Sequence, residues 1–81
     1  MALSRDALFT YLIEKLDVDE RALGDDTLLF SSSLLDSFRM VDLILFIETE
    51  AGVRLGPMDV NLDNLDSIAR ILACTESLAA R

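Results

Sequence analysis

One stretch decides the fold: residues 34–50 read LLDSFRMVDLILFIETE, a polar pair followed by a long apolar run. Asp36 is a good helix N-cap, because its carboxylate can accept hydrogen bonds from free backbone N–H groups two or three residues later. The run after it predicts a helix from about Ser37 to Ala51, and Gly52 suits the left-handed residue that ends such a helix. The Ser37 hydroxyl is then expected to be exposed in the first helical turn.

This predicted helix carries two apolar faces at about 100° per residue. The first has the spacing of an ordinary core stripe: Met40, Leu43, Ile44, Ile47 and Ala51. The second consists of Phe38, Val41 and Leu45, with Asp42 at its side and Glu48 at its end. An apolar patch rimmed by acids beside a modifiable hydroxyl indicates a docking face. The alternative is a helix buried on two sides at the centre of a bundle, and periodicity alone leaves both open.

The segments around this helix predict two further helices. Ser4 is a plausible N-cap for a first helix that ends near Leu16. Asp66 is predicted to cap a last helix, which fades toward Arg81. The apolar residues expected to face inward are, in the first helix, Leu8, Phe9, Leu12, Ile13 and Leu16, and in the last, Ile68, Ile71, Leu72 and either Thr75 or Leu78.

Composition limits the possible functions. The chain has 81 residues, enough for one small domain, with 52% hydrophobic residues and a formal net charge of −8 from 15 acids and 7 bases. Nucleic acids and anionic membranes are therefore unlikely direct partners, whereas basic protein surfaces are complementary. There is no His, which removes Ser-His and Cys-His nucleophile pairs, and the single Cys74 is predicted to be a packed thiol. We expect a protein that is not itself an enzyme.

Targeting and metal motifs are weak or absent in the sequence. The chain begins without a basic-then-apolar signal, and no apolar run approaches the roughly 18 residues of a membrane span, so a cytoplasmic protein is expected. Residues 59–70 begin like a calcium loop, but Asn64 stands where the tight turn needs Gly, and Arg70 where a bidentate Glu is needed. We therefore predict no metal site.

The order of these features resembles the acyl carrier protein family. The resemblance rests on Leu34-Leu35-Asp36-Ser37-Phe38, on Val41-Asp42-Leu43, on the acidic helix end and on Leu65-Asp66-Ser67-Ile68. It implies one all-α domain over residues 1–81, a small four-helix bundle with three principal helices and one short helix around Pro57 to Asn61. It also implies a long first loop, anchored in the core by Val18, Leu23, Leu28 and Leu29.

The resemblance also implies a function. Ser37 is the residue that would accept 4′-phosphopantetheine from coenzyme A, through a separate phosphopantetheinyl transferase that uses magnesium, with Asp36 as the motif acid. The arm's thiol would then hold an acyl or aminoacyl group as a thioester, loaded by a separate ligase. The implied partner interface comprises Phe38, Arg39, Val41, Asp42, Leu45 and Glu48.

The local sequence points to a subgroup of that family. Leu34-Leu35 stands where many members have a Gly, and Arg39 where an acid or small polar residue is common. This form is closer to D-alanyl and other aminoacyl carriers, so an amino acid is a candidate cargo. We expect a free-standing monomer. The competing interpretation is an unmodified acidic helical adaptor that binds partners through Phe38, Val41 and Leu45.

Overall fold

A computed structural model describes residues 3–80, and its regular structure in that range is entirely helical. The four α-helices and one 3₁₀ turn are α1 Arg5–Glu14, the turn Glu20–Ala22, α2 Ser37–Ala51, α3 Leu62–Leu65 and α4 Ile68–Ala79. Three helices are long and one has a single turn. The predicted all-α architecture, with three principal helices and one short helix, is confirmed.

Each α-helix begins at a residue whose side chain accepts a backbone N–H from three residues later. These bonds are Ala7 N to Ser4 Oγ, 3.0 Å, Arg39 N to Asp36 Oδ1, 2.9 Å, Asn64 N to Asn61 Oδ1, 3.0 Å, and Arg70 N to Ser67 Oγ, 3.2 Å. Such caps satisfy N–H groups that have no acceptor inside the helix. At the other end of α2, Gly52 is left-handed with φ 68°, and its N–H bonds to the Glu48 carbonyl.

The predicted short helix around Pro57 to Asn61 is wrong in its position, because α3 comes later, at Leu62–Leu65. Asp59 Oδ2 accepts from the N–H of Gly56 at 2.9 Å and so closes a turn. Asn61 then caps α3. Asp and Asn side chains that bond to nearby backbone compete with a helix and favour its start or a turn. The helix therefore starts only after Asn61.

The predicted bounds of the other two helices also need correction. Asp66 does not cap the last helix: it ends α3, and Ser67 is the N-cap of α4. The first helix stops at Glu14, before the predicted Leu16, and Asp17 is left-handed with φ 58°. That residue reverses the chain, so that the N–H of Val18 bonds to the carbonyl of Leu12 at 3.0 Å.

The core is aliphatic and draws on the helices and the first loop. Its least exposed members are Leu8, Leu12, Leu29, Leu43, Ile47, Leu65, Ile68 and Ile71. Three of the four predicted loop anchors are buried: Val18, Leu23 and Leu29. The prediction for the fourth, Leu28, is wrong, because its side chain is 41% exposed. The Leu28 carbonyl accepts a hydrogen bond from the Ser32 hydroxyl. In α4, Thr75 is buried and Leu78 is half-buried.

Candidate functional site

Ser37 is the first residue of α2, and its side chain is exposed. Its neighbour Asp36 is extended, with φ −107° and ψ −177°, and caps the helix through the N–H of Arg39. The Asp36 carbonyl accepts the first bond of the helix, from the N–H of Met40, at 3.0 Å. The Ser37 hydroxyl bonds to no residue in the range 3–80, so its oxygen is open to solvent.

The chain reaches this helix through a turn. The Ser33 N–H bonds to the Phe30 carbonyl at 3.1 Å, and Ser33 is left-handed with φ 68°. After the turn, the Leu35 N–H bonds to the Leu29 carbonyl at 2.9 Å, and the Leu35 side chain is buried. A buried leucine thus directly precedes the exposed pair Asp36-Ser37. Because Leu35 is fixed in the core, the point at which the chain reaches the surface with Ser37 is fixed as well.

Asp66, at the junction of α3 and α4, holds this turn in place. Its Oδ1 accepts from the N–H groups of Phe30 at 2.7 Å and Ser31 at 3.0 Å. Its Oδ2 accepts from the Ser31 hydroxyl at 2.5 Å, and its carbonyl accepts from the Leu29 N–H at 2.7 Å. The end of the first loop is therefore attached to the junction of α3 and α4 by four hydrogen bonds.

Asp66 stays ionised despite its burial. The side chain is only 2% exposed, and such burial by itself raises the pKa of a carboxyl group. The hydrogen bonds from Ser31 and Phe30, and the Arg70 guanidinium at 4.0 Å, favour the charged form. They outweigh burial, so the pKa of Asp66 lies below its ordinary value.

The chain contains two Leu-Asp-Ser sequences, and the structure gives them different roles. In Leu35-Asp36-Ser37 the aspartate is the N-cap and the serine is an exposed first-turn residue. In Leu65-Asp66-Ser67 the serine is the N-cap, is 2% exposed, and accepts from the Arg70 N–H. A difference of one residue in the cap position therefore leaves only one of the two serines accessible to another protein.

The second apolar face of α2, formed by Phe38, Val41 and Leu45 and named the α2 stripe, lies on the surface. Phe38 is 84% exposed, and Val41 and Leu45 are each 58% exposed. Asp42, beside them, is also exposed. Of the two alternatives left open by periodicity, the helix buried on two sides does not occur within the described residues. Whether this stripe binds a partner stays a prediction.

Two other predicted interface residues have hydrogen bonds inside the protein. Glu48 is half-buried, and its Oε2 accepts from the N–H of Leu55 at 2.8 Å, which holds the loop after α2 against the helix. Arg39 is half-buried, and its Nη1 donates to the Leu16 carbonyl at 2.8 Å, which ties α2 to the end of the α1 segment. Both side chains therefore have a structural role whatever else they contact.

Sequence reasoning missed other features of the surface and the site. Met58 and Leu62 are exposed apolar residues in the segment after α2. The long-range bonds of Asp66 were also missed, because the local sequence suggested only a helix cap there. A carboxylate that bonds to residues 35 and 36 positions away leaves no periodic pattern in the sequence. The sequence feature that comes nearest to indicating these bonds is the pair Ser31 and Ser32, whose hydroxyls need hydrogen-bond acceptors and which precede an apolar segment.

The first turn of α2 fits a phosphodiester on Ser37. The N–H groups at the start of a helix lack internal acceptors and lie at the positive end of the helix dipole. The Arg39 N–H already bonds to Asp36, whereas those of Ser37 and Phe38 bond to no other residue in the range 3–80. An anion attached to Ser37 would therefore find two unused donors close by.

Comparison with known proteins adds one relative. The chain is 30% identical over 77 residues to a protein described as acyl carrier protein from Thermotoga maritima, covering 90% of this chain and 93% of that protein. No protein-family model matches the chain. None of the helices formed by residues 3–80 is long and apolar enough to cross a membrane.

Proposed function

Because the chain belongs to the acyl carrier protein family, we propose that it carries its cargo on a 4′-phosphopantetheine arm attached to Ser37. The observation that supports this residue is its exposed hydroxyl at the amino end of α2, directly after the capping Asp36. The other serine in a Leu-Asp-Ser sequence, Ser67, is buried and occupied as a cap. Ser37 therefore fits attachment far better.

Attachment forms one bond and breaks another. The Ser37 Oγ becomes bonded to the phosphorus that bears the pantetheine, the bond from that phosphorus to the nucleotide half of coenzyme A breaks, and the hydroxyl proton is released. A separate transferase with magnesium catalyses the exchange. When bound, the group supplies a flexible arm whose terminal thiol holds an acyl or aminoacyl group as a thioester.

The chain itself supplies position rather than catalysis. Asp36 fixes the start of α2, and the turn held by Asp66 fixes the direction from which α2 emerges. The free N–H groups of the first turn stabilise the phosphodiester charge. Tethering cargo at this point raises its effective concentration near each docked enzyme.

Partners are proposed to dock on the α2 stripe and on Asp42 beside it. Phe38, Val41 and Leu45 offer apolar area beside Ser37, and the net charge of −8 attracts basic surfaces. The proposed partners are a phosphopantetheinyl transferase, a loading ligase and downstream enzymes. We further propose a cytoplasmic location and a monomeric carrier.

An amino acid is the proposed cargo. The support is the Leu34-Leu35 sequence before Asp36 and the cation at Arg39, which the Leu16 carbonyl holds at the side of α2. To test this, the protein bearing its arm would be offered to an aminoacyl-carrier ligase and to a fatty-acyl-carrier ligase, with thioester formation followed by mass. We expect the aminoacyl product. Preferential loading with long-chain acids would contradict this cargo.

A fluorescent coenzyme A conjugate tests the attachment site. A transferase of broad specificity should label the wild type, and it should also label Ser67→Ala where circular dichroism shows that variant folded. Ser37→Ala should remain unlabelled. Equal labelling of Ser37→Ala would place the arm elsewhere. No labelling of the wild type, by a transferase active on another carrier, would favour the unmodified adaptor.

A further inference from the structure

A second surface lies between α1 and α2, apart from Ser37. It is an open groove of about 410 Å³. Its floor is formed by the rings of Tyr11 and Phe46, stacked with centroids 3.9 Å apart and planes at 15°. The Tyr11 hydroxyl donates to the Asp42 carbonyl at 3.1 Å, which fixes the ring across the two helices. Both aromatic residues are half-buried, so part of each stays accessible.

The rim of this groove is acidic. Asp6 and Glu14 on α1 and Glu50 on α2 line it, against one cation, Lys15. Glu14 and Glu50 are exposed and form no ion pair with any residue in the range 3–80. Asp6 Oδ1 lies 3.7 Å from Arg5 Nη1, but both side chains are exposed, and an ion pair at such a position contributes little to stability. An apolar floor with three carboxylates around it is complementary to a basic amphipathic segment.

The groove is separate from the α2 stripe. At about 100° per residue, Phe46 and Glu50 lie roughly 110° and 150° around α2 from the centre of the stripe formed by Phe38, Val41 and Leu45. A segment bound in the groove would therefore contact α1 and one side of α2 only. The stripe and Ser37 would stay accessible to a second protein.

We propose that this groove binds a basic amphipathic helix of a partner protein. The helix would place an apolar side chain on the Tyr11–Phe46 stack and Lys or Arg side chains against Glu14, Glu50 and Asp6. An Arg could also lie over an aromatic face. The partner would hold the carrier while Ser37 and the α2 stripe remain free. This surface does not depend on any group being attached to Ser37.

The chain provides its own probe of the groove. Tyr11 is its one tyrosine, and the sequence has no Trp. The titrant is a synthetic helical peptide of about 14 residues made of Leu, Lys and Arg only, long enough to hold some helix in isolation. Binding in the groove should change the tyrosine fluorescence and should weaken as salt is added.

Matched variants separate the groove from general attraction to an acidic protein. Glu14→Lys and Glu50→Lys should each raise the dissociation constant about fivefold or more, since each removes an attraction and adds a repulsion. Glu20→Lys makes the same change in net charge in the 3₁₀ turn and should change it less than about twofold. Leu45→Ser, on the α2 stripe, should leave it unchanged.

Three results would overturn the proposal. The first is equal weakening of peptide binding by Glu20→Lys and Glu14→Lys, which would mean that the peptide responds only to the net charge of the protein. The second is loss of binding in Leu45→Ser, which would place the peptide on the α2 stripe. The third is no change in Tyr11 fluorescence at any peptide concentration. Each is measured on the unmodified protein, so failure here is independent of whether Ser37 carries an arm.

Discussion

Asp66 connects parts of the chain that are distant in sequence. Its carboxylate accepts three hydrogen bonds from residues 30 and 31, and the nearest cation, Arg70, is 4.0 Å away. A buried carboxylate with its lone pairs filled by N–H and O–H donors is stable, but these bonds weaken and one acceptor oxygen is lost if the charge is removed. The turn that leads to Ser37 therefore depends on this one side chain.

Replacing Asp66 by Asn should lower the free energy of unfolding by about 2 kcal/mol. An amide has one acceptor oxygen where the aspartate has two. The NH₂ group that replaces Oδ2 would face the Ser31 hydroxyl and the Arg70 guanidinium, and the charge that strengthens all of these bonds would be lost. Urea denaturation followed by circular dichroism measures the change. The control is Asp63→Asn on exposed α3, which should change stability by less than about 0.5 kcal/mol. Similar stability of Asp66→Asn and the wild type would contradict this role of Asp66.

Ser33 has a backbone conformation that favours glycine. Its φ of 68° is left-handed, a region in which a side chain is strained. We expect Ser33→Gly to stabilise the protein by up to about 1 kcal/mol, because relief of strain exceeds the added freedom of the unfolded chain. The midpoint of thermal unfolding should rise. The neighbouring Ser32 has no positive φ, so Ser32→Gly should lower the thermal midpoint. A lower midpoint for Ser33→Gly would show that the substitution relieves no strain.

At the scale of elements, local signals predicted α2 and failed at α3. The second helix has an N-cap, a long apolar run and a glycine end, each decided by neighbours in sequence. The region from Pro57 to Ser67 offers several competing caps within eleven residues, among them Asp59, Asn61, Asp66 and Ser67. Which cap is used depends on tertiary bonds such as those of Asp66 to the first loop, and these have no local pattern.

The α2 stripe should matter for partners and not for folding. We expect Val41→Asp to lower kcat/KM for a phosphopantetheinyl transferase about tenfold, because a charge would enter an apolar contact beside Ser37. The thermal midpoint should change little, since Val41 is 58% exposed. Kinetics with unmodified protein as the varied substrate measures this. Ser77→Asp adds the same charge at an exposed position on α4, and an equal effect there would show that the stripe is not the docking surface.

At the scale of the whole molecule, acidity has two opposing effects on stability. With a net charge of −8, protonation of exposed carboxylates relieves repulsion. Protonation of Asp66 instead weakens the hydrogen bonds that its carboxylate accepts. Its pKa is lowered in the folded state, so the folded protein binds this proton less readily than the unfolded chain. The stability contributed by Asp66 is therefore present above the unfolded pKa, about 3.9, and is lost as the pH falls through the folded pKa.

The Asp66→Asn variant isolates this contribution. We expect the difference in unfolding free energy between wild type and Asp66→Asn to be largest near neutral pH and to shrink below about pH 4. Repulsion among the other acids is common to both proteins and cancels in the difference. Urea titrations at several pH values measure it. A difference that stays constant down to the lowest pH at which both fold would contradict an ionised Asp66.

Much of the candidate site could be predicted from the sequence, because its parts are local. Asp36 as a cap and Ser37 in an exposed first turn follow from one short stretch, and both positions agree with the structure. What fixes them in space could not be predicted. Asp66 bonds to residues more than thirty positions away in the sequence, and the groove floor brings together Tyr11 and Phe46, which are also more than thirty positions apart.

The measurement that tests the central claim most directly is the mass of the intact protein. The protein would be incubated with coenzyme A, magnesium and a transferase of broad specificity, with fragmentation to locate any addition. We expect the wild type to gain the mass of one phosphopantetheine, located on Ser37, and Ser37→Ala to gain none. An addition on any other residue, or no addition to folded wild type by a transferase active on another carrier, would contradict the proposed carrier site.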